Sequence, residues 1–201
     1  MKDLVYRCLV VLLLVGMKAA RWRMRRELGG DAARIARKKN PGDAMLLGAC
    51  QVAWTIVLGV YVAMPSWIAF GDVGLPAAWR WGGFAVGIAG ALLVGWADRC
   101  LGNNLSGIVQ IKQRQTLITT GPYRWVRHPI YSGGLLHCLG HFLVSANVCV
   151  GLCCLGGTIL LYAVRIPKEE KMLLDEFGDE YRRYANRTNR LMPRLFRPGQ
   201  K

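Results

Sequence analysis

The polar side chains expected to converge in this chain are Gln110, Gln115, Tyr123, His128, Tyr131, Arg165, Glu169 and Glu170. They form no acidic cluster and no Cys/His set with metal-ligand spacing. No glycine-rich strand-turn-helix for a nucleotide accompanies them, and no Ser-His-Asp arrangement can be assembled. One arginine, one well-placed glutamate, aromatic rings and a backbone stiffened by Pro122 and Pro129 remain. Such a set is suited to holding two molecules against each other, and less suited to forming a covalent intermediate.

Two features compete with that reading. His137 and His141 are spaced i, i+4 on one helical face, as metal ligands would be. No acid lies near them to complete a shell, so buried polar contacts between helices are the expected role, although an intramembrane histidine is a functional flag. Arg124 and Arg127 fit headgroup anchors as well as a site. Arg165 fits a snorkelling residue at the end of a span, and Glu170 fits a partner for a helix dipole. The seven cysteines (8, 50, 100, 138, 149, 153 and 154) read as small apolar fillers.

The elements that must position these groups are apolar. The chain is 53% hydrophobic over 201 residues, too apolar for an ordinary soluble domain. The net charge of +15 would fit a nucleic-acid binder, but such a protein needs no series of runs near the ~17–25 residues that span a bilayer. Five spans are expected: Leu4–Ala20, Ala44–Phe70, Trp81–Ala97, Ile130–Asn147 and Val148–Val164. The first reads as a span and not as a secretory leader, because its basic block follows the apolar run. Of the 27 Lys and Arg residues, 24 fall in three segments, 18–39, 98–130 and 165–201, whereas Gly71–Arg80 holds only Arg80. Basic segments face the cytoplasm. That rule puts the N-terminus outside and the C-terminus inside, with residues 21–43 as a basic linker broken at Gly29-Gly30 and Pro41-Gly42.

The fold class expected is therefore an all-α integral membrane bundle of about five helices. Residues 1–100 would hold the first three spans and the linker, and 101–201 the functional region. The last two spans meet near "SANVC" (145–149) with almost no loop, which makes a tight hairpin. Both its ends return to one face, so His128-Pro129 and Arg165 should meet although 37 residues separate them. The final segment, 165–196, begins with a proline suited to a helix start. Leu173, Leu174, Phe177, Tyr181 and Tyr184 then recur at helical spacing, as in an amphipathic helix on the cytosolic side.

"LGNNLSGIVQ", "TLITTGPYRWVRHPIYSG" and "RIPKEEKMLLDEFGDEYRRY" with a trailing "RLMP" resemble the isoprenylcysteine carboxyl methyltransferase family, which is related to the phospholipid N-methyltransferases. The likeness covers roughly 101–196. It implies S-adenosylmethionine as methyl donor and a lipid or prenylated acceptor held in the membrane, with no nucleic-acid partner and no metal. It further implies that Gln110, Gln115, Thr116, Leu117, Ile118 and Tyr123 line the donor pocket. His128, Pro129, Ile130 and Tyr131 would wrap the donor, Glu169 would bind it, and Arg165 would meet the acceptor's reacting end. The spacing from Gln110 to Thr116 is shorter than in the family's eukaryotic members, and Leu105 stands where an aromatic is usual. A carboxylate acceptor needs no general base and can be gripped by Arg165. An amine acceptor must lose a proton, and Glu169 or Glu170 would accept it. A non-catalytic membrane scaffold is the reading from another class.

Overall fold

The structure is a computed structural model and describes residues 2–27, 41–102 and 116–194. Five helical runs form it: α1 (Lys2–Glu27), α2 (Pro41–Ala63), α3 (Ala77–Leu101), α4 (Pro129–Ser145) and α5 (Val148–Arg187). No strand occurs among the described residues. Apolar side chains face both ways. Tyr6, Leu9, Val10 and Leu13 of α1 pack with Leu58 and Tyr61 of α2, Cys138 and Val144 of α4, and Val150 and Cys154 of α5. Leu12, Ile56, Leu92 and Leu160 point outward and are well exposed. Outward apolar faces on every side fit a lipid surround and not water. Among the described residues three helices are long and apolar enough to cross a membrane: Met45–Ala63, Ala77–Leu101 and the Val148–Arg187 run. The protein is an all-α integral membrane protein.

α3 and α4 make the closest pair, and glycine sets their distance. A Cβ placed on Gly140 would lie 2.5 Å from Gly87 Cα, and one on Gly90 would lie 2.5 Å from Gly133 O. The two backbones touch, as small-residue interfaces in membranes allow. The α4–α5 turn is closed by Asn147, which is fully buried. Its carbonyl oxygen accepts from the amides of Cys149 and Val150 at 2.9 and 3.2 Å. Its amide group donates to Ile68 O and Asp72 Oδ1, both at 2.7 Å. One side chain therefore caps α5 and ties the hairpin to the segment after α2.

Three boundaries differ from the sequence expectation. The second span was expected to run to Phe70, but α2 ends at Ala63. Met64 precedes Pro65, a position that disfavours helical backbone. Two 3₁₀ turns follow, Pro65–Trp67 and Ala69–Gly71. The basic linker was expected from residue 21, yet Arg21, Arg23 and Arg26 belong to α1, which continues to Glu27. Good helix formers extend that helix beyond its apolar part; residues 28–40 lie outside the described residues. The last helix was expected to start afresh at Pro167. Instead Pro167 lies inside α5. A proline there costs about 3 kcal/mol, against which the buried apolar side chains of Leu161 and Ile166 stabilise the helix. α5 does bend elsewhere. A π turn occupies Leu152–Gly156, and the helix breaks at Gly178 (φ 49°, ψ −120°), a backbone state that only glycine takes easily.

Candidate functional site

The motif region is built by three local devices. Gly121 opens a 3₁₀ turn, Gly121–Arg124, with φ +60°; a Cβ there would meet Cys100 Sγ at 2.5 Å. Pro122 follows at the first turn and is buried. Pro129 then starts α4, where its missing N–H has no cost, and it too is buried. Between them, the amides of Arg127 and His128 donate to the carbonyls of Asn189 and Arg190 at 2.8 and 3.0 Å. Ser132 Oγ donates to Leu191 O at 2.6 Å. The chain after α5 thus straps down the loop that leads into α4.

Around this frame the hairpin brings the predicted groups together. The Tyr131 hydroxyl donates to Glu169 Oε1 and accepts from Arg165 Nε at 3.3 Å. Arg165 Nη2 lies 3.4 Å from Glu169 Oε1, one helical turn on. His128 Nδ1 stands 3.7 Å from Glu169 Oε2. Arg165 and His128 are only 5% and 6% exposed, so the expected meeting of residues 128 and 165 takes place, mediated by Tyr131 and Glu169. The His128 and Tyr131 rings stack at 5.5 Å, and Tyr131 stacks on Tyr162 at 4.2 Å. Glycine at 134 leaves the room that the Tyr162 ring fills.

A cavity of about 910 Å³ opens beside this cluster. Thr116, Leu117, Ile118, Tyr123, His128, Ile130, Tyr131, Arg165 and Glu169 all line it. Pro129 is buried and is not among the lining residues. Gln110 and Gln115 lie outside the described residues. The far wall is α1 and α2, with Leu14, Lys18, Arg21, Cys50 and Trp54. One cavity therefore runs from a polar cluster at the helix ends to apolar side chains at membrane depth. Burial, and then the Asp98 carboxylate, push the Tyr123 phenol well above its ordinary range. Tyr123 stays neutral and contributes a ring and a hydroxyl; its backbone carbonyl accepts from the Tyr184 hydroxyl at 2.7 Å.

Two groups left open or assigned elsewhere by the sequence make specific contacts. Arg127 is not a headgroup anchor. Its Nε donates to Glu170 Oε1 at 3.1 Å, and its Nη1 donates to the carbonyls of Ala185, at 2.8 Å, and Thr188. Glu170 does more than complement a dipole. It also accepts from Arg190 Nη2 at 2.6 Å and stands 3.5 Å from His128 Nε2, and it pushes the Arg190 guanidinium up. The i, i+1 position of two glutamates on α5 hides this division of labour: Glu169 faces the cavity and Glu170 the strap. Arg124 keeps the anchor geometry, exposed, with its guanidinium 5.4 Å from the Trp125 ring. Tyr162 and the α1 residues Lys18 and Arg21 escaped the sequence reading. Tyr162 had one signal, its place one turn before Arg165.

His137 and His141 make helix contacts. His137 Nδ1 lies 3.0 Å from Gly87 O, which can only accept, so that nitrogen carries the proton. His141 Nε2 then donates to His137 Nε2 at 3.3 Å. Trp54 stands edge-on to both rings. Among the described residues no group of three or more His, Cys, Asp or Glu is placed to hold a metal.

Comparison with known proteins places this architecture. The family profile described as "Phospholipid methyltransferase" matches residues 78–180. The chain is 33% identical to a protein-S-isoprenylcysteine O-methyltransferase of Xenopus laevis over 97 residues, 46% of this chain and 33% of that protein. It is 32% identical to a probable protein-S-isoprenylcysteine O-methyltransferase of Oryza sativa subsp. japonica over 116 residues, 55% of this chain and 59% of that protein. These matches span from a third to about three-fifths of the relatives' lengths. In three dimensions the chain is similar to a eukaryotic intramembrane Ras methyltransferase, isoprenylcysteine carboxyl methyltransferase, with a TM-score of 0.57 and 22% identity over 93% of this chain and 68% of that one. The shared region runs from the start of α3 through the proline-framed loop and the α4–α5 hairpin to Glu180, and by it the chain belongs to the phospholipid methyltransferase family.

Proposed function

We propose that this protein transfers a methyl group from S-adenosylmethionine to a membrane-held amphiphile, and that the reaction is carboxyl O-methylation of an isoprenylcysteine-like thioether. The observation that carries this is the single cavity joining the Tyr131–Glu169–Arg165 cluster to an apolar channel between α1, α2 and α5. A water-soluble donor and a lipid-borne acceptor need such a meeting place. The donor set fits a sulfonium cofactor: the Glu169 carboxylate beside the stacked Tyr131 and Tyr162 rings offers negative charge and π faces to a cation.

S-adenosylmethionine supplies a methyl group already activated by its positive sulfur, so the chain's own work is alignment, which is worth up to about 7–11 kcal/mol of barrier. Glu169 orients the donor from α5. The Tyr131 hydroxyl holds Glu169 and Arg165 in register. Arg165 grips the acceptor carboxylate with its planar fork, which is a nucleophile without losing a proton. The buried backs of His128 and Pro129 exclude water from this side. The basic segments support an orientation with this face in the cytoplasm and the N-terminus outside. The family's description favours one second reading, an amine acceptor on a phospholipid, with Glu169 taking the proton.

The test is calorimetric titration of the purified protein with S-adenosylmethionine and S-adenosylhomocysteine, beside Glu169→Ala. Micromolar binding lost in the variant is expected, followed by radiolabel transfer to N-acetyl-S-farnesylcysteine or, on the second reading, to phosphatidylethanolamine. No binding by a folded wild type removes the proposal and leaves the membrane scaffold.

A further inference from the structure

Four full cations line the cavity: Lys18, Arg21, Arg127 and Arg165. Three stand beside carboxylates. Arg21 Nε lies 3.4 Å from Asp98, Arg127 Nε lies 3.1 Å from Glu170, and Arg165 Nη2 lies 3.4 Å from Glu169. Lys18 is the exception among the described residues. Its ammonium donates to Thr55 Oγ1 at 3.1 Å. The Thr55 proton is committed to Gln51 O at 2.7 Å, so the hydroxyl receives Lys18 through a lone pair. A hydroxyl positions the ammonium but does not neutralise it, and two of its three N–H groups remain for another partner.

The depth of this contact matters. Thr55 belongs to the apolar span Met45–Ala63, ten residues from one end and eight from the other. At 1.5 Å per residue that is about 15 and 12 Å, near the middle of the span. A snorkelling lysine carries its charge to the membrane edge. Lys18 instead reaches sideways to α2. An ionisable group at this depth is costly and normally faces a pathway or a partner.

We propose that Lys18 receives an anionic oxygen, carboxylate or phosphate, carried by the amphiphile that fills the cavity. The charge of the wall is then completed by the ligand, as Asp98, Glu170 and Glu169 complete it for the other three cations. Lys18 lies on α1, before the residues 78–180 that match the family. That the amphiphile is a methyl acceptor rests on the function proposed above; that it is anionic does not.

The experiment is competition binding on the full chain in phosphatidylcholine nanodiscs. A neutral fluorescent farnesyl amide is displaced by S-farnesylthiopropionate, its primary amide, or farnesyl monophosphate. Wild type is expected to bind at least one of the two anions about tenfold more tightly than the amide, and the better anion names the group. Lys18→Met should lower the preference for the better anion by about threefold or more, leaving the share that Arg165 supplies, and Lys18→Arg should restore it. If Lys18→Met does not fold, Thr55→Val takes its place and should reduce the preference. A wild type without preference overturns the proposal. So does a preference that survives undiminished in the Lys18 variant or, where that variant does not fold, in Thr55→Val, because it then belongs to Arg165 alone. S-adenosylhomocysteine titration of wild type in the same discs judges the methyl-transfer reading separately.

Discussion

Glu170→Ala should loosen the strap over the motif loop by removing a side chain that does not itself line the cavity. Glu170 is 14% exposed at its side chain, and Arg127 is 13% exposed. Removing the carboxylate leaves a nearly buried guanidinium held by the carbonyls of Ala185 and Thr188. Breaking one partner of a fully buried pair costs about 3–5 kcal/mol. The two remaining carbonyls reduce that to roughly 2–3 kcal/mol. The Arg190 contact adds less than about 1 kcal/mol, since Arg190 is 58% exposed. The amides of Arg127 and His128 report the change directly, because they donate to Asn189 and Arg190 in the strap. Hydrogen exchange read by mass spectrometry should show a peptide containing residues 127–128 losing protection by roughly 30- to 150-fold, at 1.4 kcal/mol per tenfold. Arg190→Ala should cost less than about sixfold at the same amides. Unchanged protection in Glu170→Ala would refute the assignment of Glu170 to the strap, and equal effects of the two variants would refute the division between buried and exposed pairs.

Three further perturbations test other layers. Asn147→Ala removes two cap bonds and two bonds to the segment after α2; a loss of about 2–4 kcal/mol should appear as a lower midpoint in detergent melts. Gly140→Leu forces α3 and α4 apart where a Cβ already meets Gly87, and should cost more than about 3 kcal/mol, seen as loss of the monodisperse peak on size exclusion, whereas Gly82→Leu, with open space around it, should keep the peak. Tyr131→Phe keeps the ring stacked on Tyr162 but deletes the hydroxyl between Glu169 and Arg165; donor affinity measured by calorimetry should fall about tenfold, the worth of one charge-assisted hydrogen bond, and an unchanged affinity would remove Tyr131 from the site.

Much of the architecture is local and was legible in one dimension. Hydropathy decides which segments leave water, since each apolar run carries its own transfer free energy whatever its neighbours do. Five spans were expected, and among the described residues three helical runs are long and apolar enough to cross a membrane. Pro122 and Pro129 constrain backbone at their own positions, so the stiffness of the motif loop was also readable, as was the return of residue 165 to residue 128 through a turn too short for any other course; the left-handed turn at Gly121 was not. Side-chain partnership is not local. Glu169 and Glu170 are chemically the same and adjacent, and only the packing of α5 against α4 and against residues 188–191 sends one to the cavity and the other to the strap. Pro167 reads as a helix start until the burial on either side of it is known. Lys18 reads as one more basic residue until α2 brings Thr55 to it and leaves its charge facing a cavity. Composition and periodicity determined that this chain is a helical membrane protein, and its motifs pointed to a polar site at one edge. The tertiary structure decided which charges in that site are already balanced, because the balance depends on distances of a few ångströms between helices far apart in the chain.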